Sequence, residues 1–255
     1  MEELNTLPES PTRVEGVGRR SFLRYVGGAA VVGGILSSCT PSDNEVAASS
    51  DTGYNLEKYA RQMSNGITVN LGSGELAILN YAYALEQLEA AFYEMVLANP
   101  YEGLGNMNVT FPRTDERRML QDIRDHEVVH REFFKAALGT NAIQGLTPNF
   151  SGINFRQRSV VLDVARQFED LGVAAYNGAG KYLKNVDFLL AAGKIVSVEA
   201  RHASILADLN FRNETAFAGD TKINGQGLER SLEPQAVLSM VAPFVQETLT
   251  ISSLA

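Results

Sequence analysis

Two copies of one short motif constrain this chain more than anything else in it: Glu127-Val128-Val129-His130 and Glu199-Ala200-Arg201-His202. Each is a Glu-x-x-His pair. On an α-helix of 3.6 residues per turn, side chains three apart share a face and can reach one point together. The chain holds three histidines, His126, His130 and His202, and two of them follow a glutamate at this spacing. Glutamate fills only about a twelfth of an average-like composition, so the coincidence has odds of roughly a few per cent. One such pair on an exposed helix is ordinarily a solvated ion pair. Two in one chain point instead to helices that each offer a carboxylate and an imidazole to a metal.

Two further segments resemble each other. Glu86-Gln87-Leu88-Glu89-Ala90-Ala91-Phe92-Tyr93 and Glu169-Asp170-Leu171-Gly172-Val173-Ala174-Ala175-Tyr176 align without a gap, with Leu third, Ala sixth and Tyr seven residues after Glu. Seven residues are almost two turns, so each Glu shares a face with its Tyr. The order is then Glu…Tyr, Glu-x-x-His, Glu…Tyr, Glu-x-x-His, a helix pair used twice.

These four motifs, in this order, resemble the ferritin-like superfamily of di-iron and di-manganese carboxylate proteins. Within it the chain is similar to bacterial ferritin-like domain proteins that carry LE-x-LEAAFY on the first helix and FED-x-GV-x-AY on the third, here residues 85–93 and 168–176. The resemblance covers roughly residues 74–211. It implies an all-α fold: a ferritin-like four-helix bundle, with one Glu from each of two helices and one Glu-x-x-His from each of the other two. The six implied ligands are Glu86, Glu127, His130, Glu169, Glu199 and His202, holding two iron or manganese ions. Glu127 and Glu199 are expected between both ions, Glu86 and Glu169 on one each, and the two imidazoles on different ions.

Other side chains compete for roles. Glu89, one turn after Glu86, is an alternative ligand; Glu86 is preferred because it aligns with Glu169, whereas Glu89 aligns with Gly172. Tyr93 and Tyr176 lie about 10 Å further along their helices at roughly 1.5 Å per residue. They are expected outside the ligand set, as core residues with one hydrogen bond each. His126 reads as a partly exposed surface histidine, with a supporting role beside the ligands as the alternative. Asp125 and Asp170 flank ligands but fall off the ligand stripe.

The chain begins with a polar stretch, then Gly18-Arg19-Arg20-Ser21-Phe22-Leu23-Arg24, which resembles a twin-arginine export signal. The apolar run from Tyr25 to Leu36 is too short for a bilayer, which needs about twenty residues, and reads as a signal-peptide core. Leu36-Ser37-Ser38-Cys39 resembles a lipobox, with Cys39 the acylated residue. Cys39 is the only cysteine, so no internal disulfide can form. The expected organisation is a signal peptide at 1–38, a flexible Ser/Asp/Asn tether at 39–54 and one domain at 55–255. The protein is then exported to the cell envelope and bound to the membrane through a lipid anchor.

Inside the domain, hydrophobic spacing predicts a short leading helix over 55–63 and long helices over 74–98, 114–138, 155–175 and 186–210, with Ser73 capping the first and Thr114 or Asp115 the second. Inward stripes are expected to include Leu76 on the first helix, Ala137 on the second and Leu190 on the fourth. Gly178 and Gly180 are expected to end or kink the third helix. A C-terminal extra helix is expected over 234–249, interrupted at Pro243, packing across the bundle end.

The formal charge of −8 survives removal of residues 1–38, which hold four basic and four acidic residues. It opposes nucleic-acid binding and a DNA-protecting role. Four carboxylates balance two divalent ions, and oxygen with imidazole suits iron or manganese, with zinc as competitor. The expected partner is a small-molecule oxidant or a metal substrate, and the expected chemistry is two-electron redox on Fe(II), O2 or peroxide. The alternative is a non-catalytic envelope or stress-related binding protein on the same fold.

Overall fold

The computed structural model describes residues 54–99, 113–211, 217–219 and 221–254. The export segment, Cys39 and the tether up to residue 53 lie outside the described residues, as does the loop over 100–112.

Four long helices form the framework: α1 (Gly74–Ala98), α2 (Arg113–Leu138), α3 (Arg158–Ala179) and α4 (Val186–Phe211). α1 lies along α2 and α3 along α4, while α1 and α3 also approach each other. α1 and α3 are the inner pair, with every residue from Ala77 to Ala90 and from Val164 to Tyr176 buried. Among the described residues no helix is long and apolar enough to cross a membrane.

Several boundaries differ from expectation. The leading helix shrinks to one 3-10 turn, Leu56–Tyr59. α2 starts at Arg113, so Thr114 and Asp115 sit inside its first turn rather than capping it. Ser73 does hold the N-cap position of α1, in extended backbone, but its side chain makes no capping hydrogen bond. α3 starts three residues later than its hydrophobic pattern and runs through Gly178. A Cβ at Gly178 would lie 1.8 Å from the carbonyl oxygen of Leu232. That glycine therefore lets a neighbouring strand of backbone pass, with the Leu232 amide donating to Ala174 O at 2.9 Å. Leu76 and Leu190 are exposed at 38% and 54%, and Ala137 is exposed while Leu138 takes the buried place.

The C-terminal segment is only partly helical. α5 (Pro234–Val241) continues as a 3-10 turn through Phe244. Thr248–Thr250 then forms a strand, β2, paired in parallel with β1 (Thr68–Asn70) in the register Thr68 to Thr248. Pro243 and the β-branched run Thr248, Thr250, Ile251 disfavour a continued helix. Val237, Leu238, Val241 and Phe244 enter the main core, where Phe168 meets Phe244 edge to face at 5.2 Å. Buried Glu247 accepts hydrogen bonds from Thr147 and Asn65, tying the tail to both the crossover and the chain before α1.

Candidate metal centre

Each of the four long helices sends a glutamate to one point in the bundle, and α2 and α4 each add a histidine one turn later. Glu86, Glu127, Glu169 and Glu199 are all fully buried, with His130 and His202 at 9% and 5% exposure. His130 Nδ1 lies 2.9 Å from Glu199, 3.3 Å from Glu127 and 3.5 Å from Glu86. His202 Nδ1 lies 2.9 Å from Glu127, 3.2 Å from Glu169 and 3.3 Å from Glu199. The donors fall into two overlapping sets, Glu86, Glu127, His130, Glu199 and Glu127, Glu169, Glu199, His202, each within 4.8 Å. Glu127 and Glu199 belong to both.

Hydrogen bonds alone do not account for this cluster. A single Nδ1–H points at one acceptor, yet three carboxylates crowd each imidazole nitrogen. Glu86 Oε2, Glu127 Oε1 and both Glu199 oxygens have no hydrogen-bond partner although each lies close to a ring nitrogen. Buried carboxylates left so are costly unless a cation or a proton neutralises them.

The electrostatics show what the bare protein does instead. Burial opposes charge on both imidazoles, but the surrounding carboxylates override it and push His130 and His202 up to about 12. Burial, reinforced by neighbouring carboxylates, drives Glu127 well above the usual range. Glu169 is pushed up to about 7, chiefly by burial, with His202 opposing the rise. Glu199 goes the other way: burial would raise it, but His130 and His202 hold it below the ordinary value. The cluster takes up protons in the place that cations could fill.

Around it, the tyrosines cross between the halves. Tyr93 on α1 donates to Glu169 Oε1 on α3 at 2.5 Å, and Tyr176 on α3 donates to Glu86 Oε1 on α1. Helical side chains lean toward the N-terminus, so a tyrosine seven residues on reaches back to the level of the glutamates. Each phenol occupies one oxygen of its carboxylate; Oε2 of each faces a histidine.

The rivals of the six fall elsewhere. Glu89 is buried, but its carboxylate packs against Gly172, where a Cβ would stand 3.1 Å from Oε1, and it belongs to neither donor set. Burial, then the charges of Glu169 and Glu86, drives it well above the usual carboxylate range. Asp125 pairs with Arg124 at the surface, and Asp170 with Arg166 and Lys222. His126 is the residue that sequence reasoning undervalued. It is exposed, as expected, but its Nδ1 also lies 2.9 Å from His202 Nε2. Helical spacing could have linked it only to His130 on its own helix, whereas the contact is made between helices.

The ferritin-like domain family matches residues 74–212, from the first residue of α1 to just past α4. The chain belongs to the ferritin-like domain family. The matched span contains all six clustered residues and both tyrosines of the ferritin-like domain, and leaves β1, α5 and β2 outside it. No curated protein matches the chain.

Proposed function

We propose that this ferritin-like domain is a di-metal carboxylate protein, holding two iron or manganese ions and carrying redox chemistry on Fe(II), O2 or peroxide. The observation that carries the reading is the pair of overlapping donor sets that share Glu127 and Glu199. Four carboxylates neutralise two divalent ions, and the mixed oxygen and imidazole donors suit iron or manganese, with zinc the stronger competitor by affinity order. Two such ions, each able to change by one electron, would together supply two-electron chemistry when bound.

The chain's own residues fix the rest. Glu127 and Glu199, common to both donor sets, would help hold both ions, while Glu86 with His130 would complete one position and Glu169 with His202 the other. Tyr176 and Tyr93 hold one oxygen of Glu86 and of Glu169 by a proton at the phenol oxygen, leaving the other oxygen of each free to face an ion. The buried core around the site excludes bulk water, which strengthens these interactions.

Metal analysis of the mature domain, expressed with both iron and manganese supplied, should find close to two ions per chain. A folded protein that stays metal-free under those conditions would sink the reading. Arg19-Arg20, the short apolar run and Cys39 support export and lipid anchoring at the cell envelope. Cys39→Ser should then release the protein from the membrane fraction; retention after a salt wash would count against the anchor.

A further inference from the structure

The two imidazoles of the centre are not held alike. His202 turns Nδ1 toward three carboxylates and Nε2 toward His126, whose Nδ1 is 2.9 Å away. The two rings are within 8° of coplanar with centroids 5.2 Å apart. That spacing is the N···N distance plus two ring radii, so the rings meet edge to edge, as an in-plane N–H···N bond requires. A histidine that gives Nδ1 to a metal must carry its proton on Nε2, and an acceptor there selects that tautomer and fixes the ring. His126 offers such an acceptor and turns its other edge outward.

His130 has the same arrangement on its inner side, with Nδ1 among Glu86, Glu127 and Glu199. Among the described residues, no side chain hydrogen-bonds its Nε2. The duplication explains why. His126 stands one residue before Glu127, and the residue one before Glu199 is Val198, which has no acceptor to offer.

We propose that His126 is the positioning residue for His202, and that it makes the two metal positions unequal: the ion on Glu169 and His202 is held more tightly than the ion on Glu86 and His130. This rests on the di-metal reading and adds to it an order of filling. The acceptor beyond a metal-bound histidine typically matters about 10- to 100-fold in affinity, so two binding steps should be resolved.

The test is titration of the metal-free protein with Co(II), followed by its visible absorption. The wild-type protein should fill in two unequal steps. His126→Leu should weaken the tighter step at least tenfold, leave the other within about twofold, and bring the two together. His126→Asn, which places an amide oxygen where Nδ1 stood, should restore much of the difference. Val198→Ala should change neither step. With Zn(II) bound, nitrogen NMR should show His202 protonated at Nε2 with slow exchange, and His126→Leu should abolish that slow exchange. Two steps unaltered by His126→Leu, both weakened equally, or no recovery with His126→Asn would each overturn the proposal while leaving the di-metal reading intact. A wild-type protein that binds no Co(II) would overturn both.

Discussion

The α1–α2 half brings Glu86, Glu127 and His130 to the centre and sends Tyr93 across to Glu169. The α3–α4 half brings Glu169, Glu199 and His202 and sends Tyr176 back to Glu86. These eight residues correspond one to one. A turn away the correspondence stops: Glu89 is answered by Gly172, whose missing Cβ admits the Glu89 carboxylate, and exposed Met95 by Gly178, which lies under the Leu232 backbone. His126 is answered by Val198. The halves stay equivalent where each must deliver a donor to a shared point. They diverge where two identical side chains would compete for one space, or where only one half is crossed by other chain.

The largest test of this comparison is removal of a shared carboxylate. Glu127→Ala or Glu199→Ala should lower bound metal from about two ions per chain to near none after dialysis, because each belongs to both donor sets. Glu86→Ala or Glu169→Ala should leave about one. Retention of a tightly held ion by Glu127→Ala, with loss of both by Glu86→Ala, would show that the shared and unshared roles are assigned the wrong way round.

A change of pH should separate the metal-free from the metal-loaded protein. In the metal-free fold His130 and His202 are raised to about 12, so the stability they contribute is complete below about 6.5, the ordinary imidazole value, and is lost as pH climbs toward 12. Glu169, raised to about 7, contributes fully below the ordinary carboxylate range, and that contribution is lost as pH rises through 7. All three have the same sign, so the melting temperature of the metal-free domain should fall between pH 5 and pH 8. Metal competes with those protons, so its stabilisation should grow over the same interval. A metal-free melting temperature that rises across this window would contradict the protonated cluster.

Smaller effects sharpen the symmetry. Tyr93→Phe and Tyr176→Phe each remove a donor from a buried carboxylate and should each cost about 1–3 kcal/mol in urea unfolding of the metal-free protein. Similar losses would support equivalent tyrosines; a loss confined to one would break the pairing. Smallest of all, Leu76→Ser and Leu190→Ser should stay within about 0.5 kcal/mol of the parent. Both leucines are exposed, and the duplication places them opposite exposed Ser159 and Arg118.

The sequence alone determined the four long helices and, through its resemblance to ferritin-like proteins, the six residues that converge, because helical spacing, an ungapped repeat between the first and third helices and short motifs are local properties of the chain. Even the exposure of Leu76 and Leu190 is legible in it, because the repeat aligns them with the polar residues Ser159 and Arg118. Other features depended on contacts between segments far apart in the chain. β2 pairs with a strand about 180 residues earlier, and Gly178 makes room for Leu232. The tyrosines serve the opposite half, and His126 on α2 supports His202 on α4. No periodicity encodes such contacts. Periodicity states which face of a helix is buried, and only the packing of helices decides which atom of another helix that face meets.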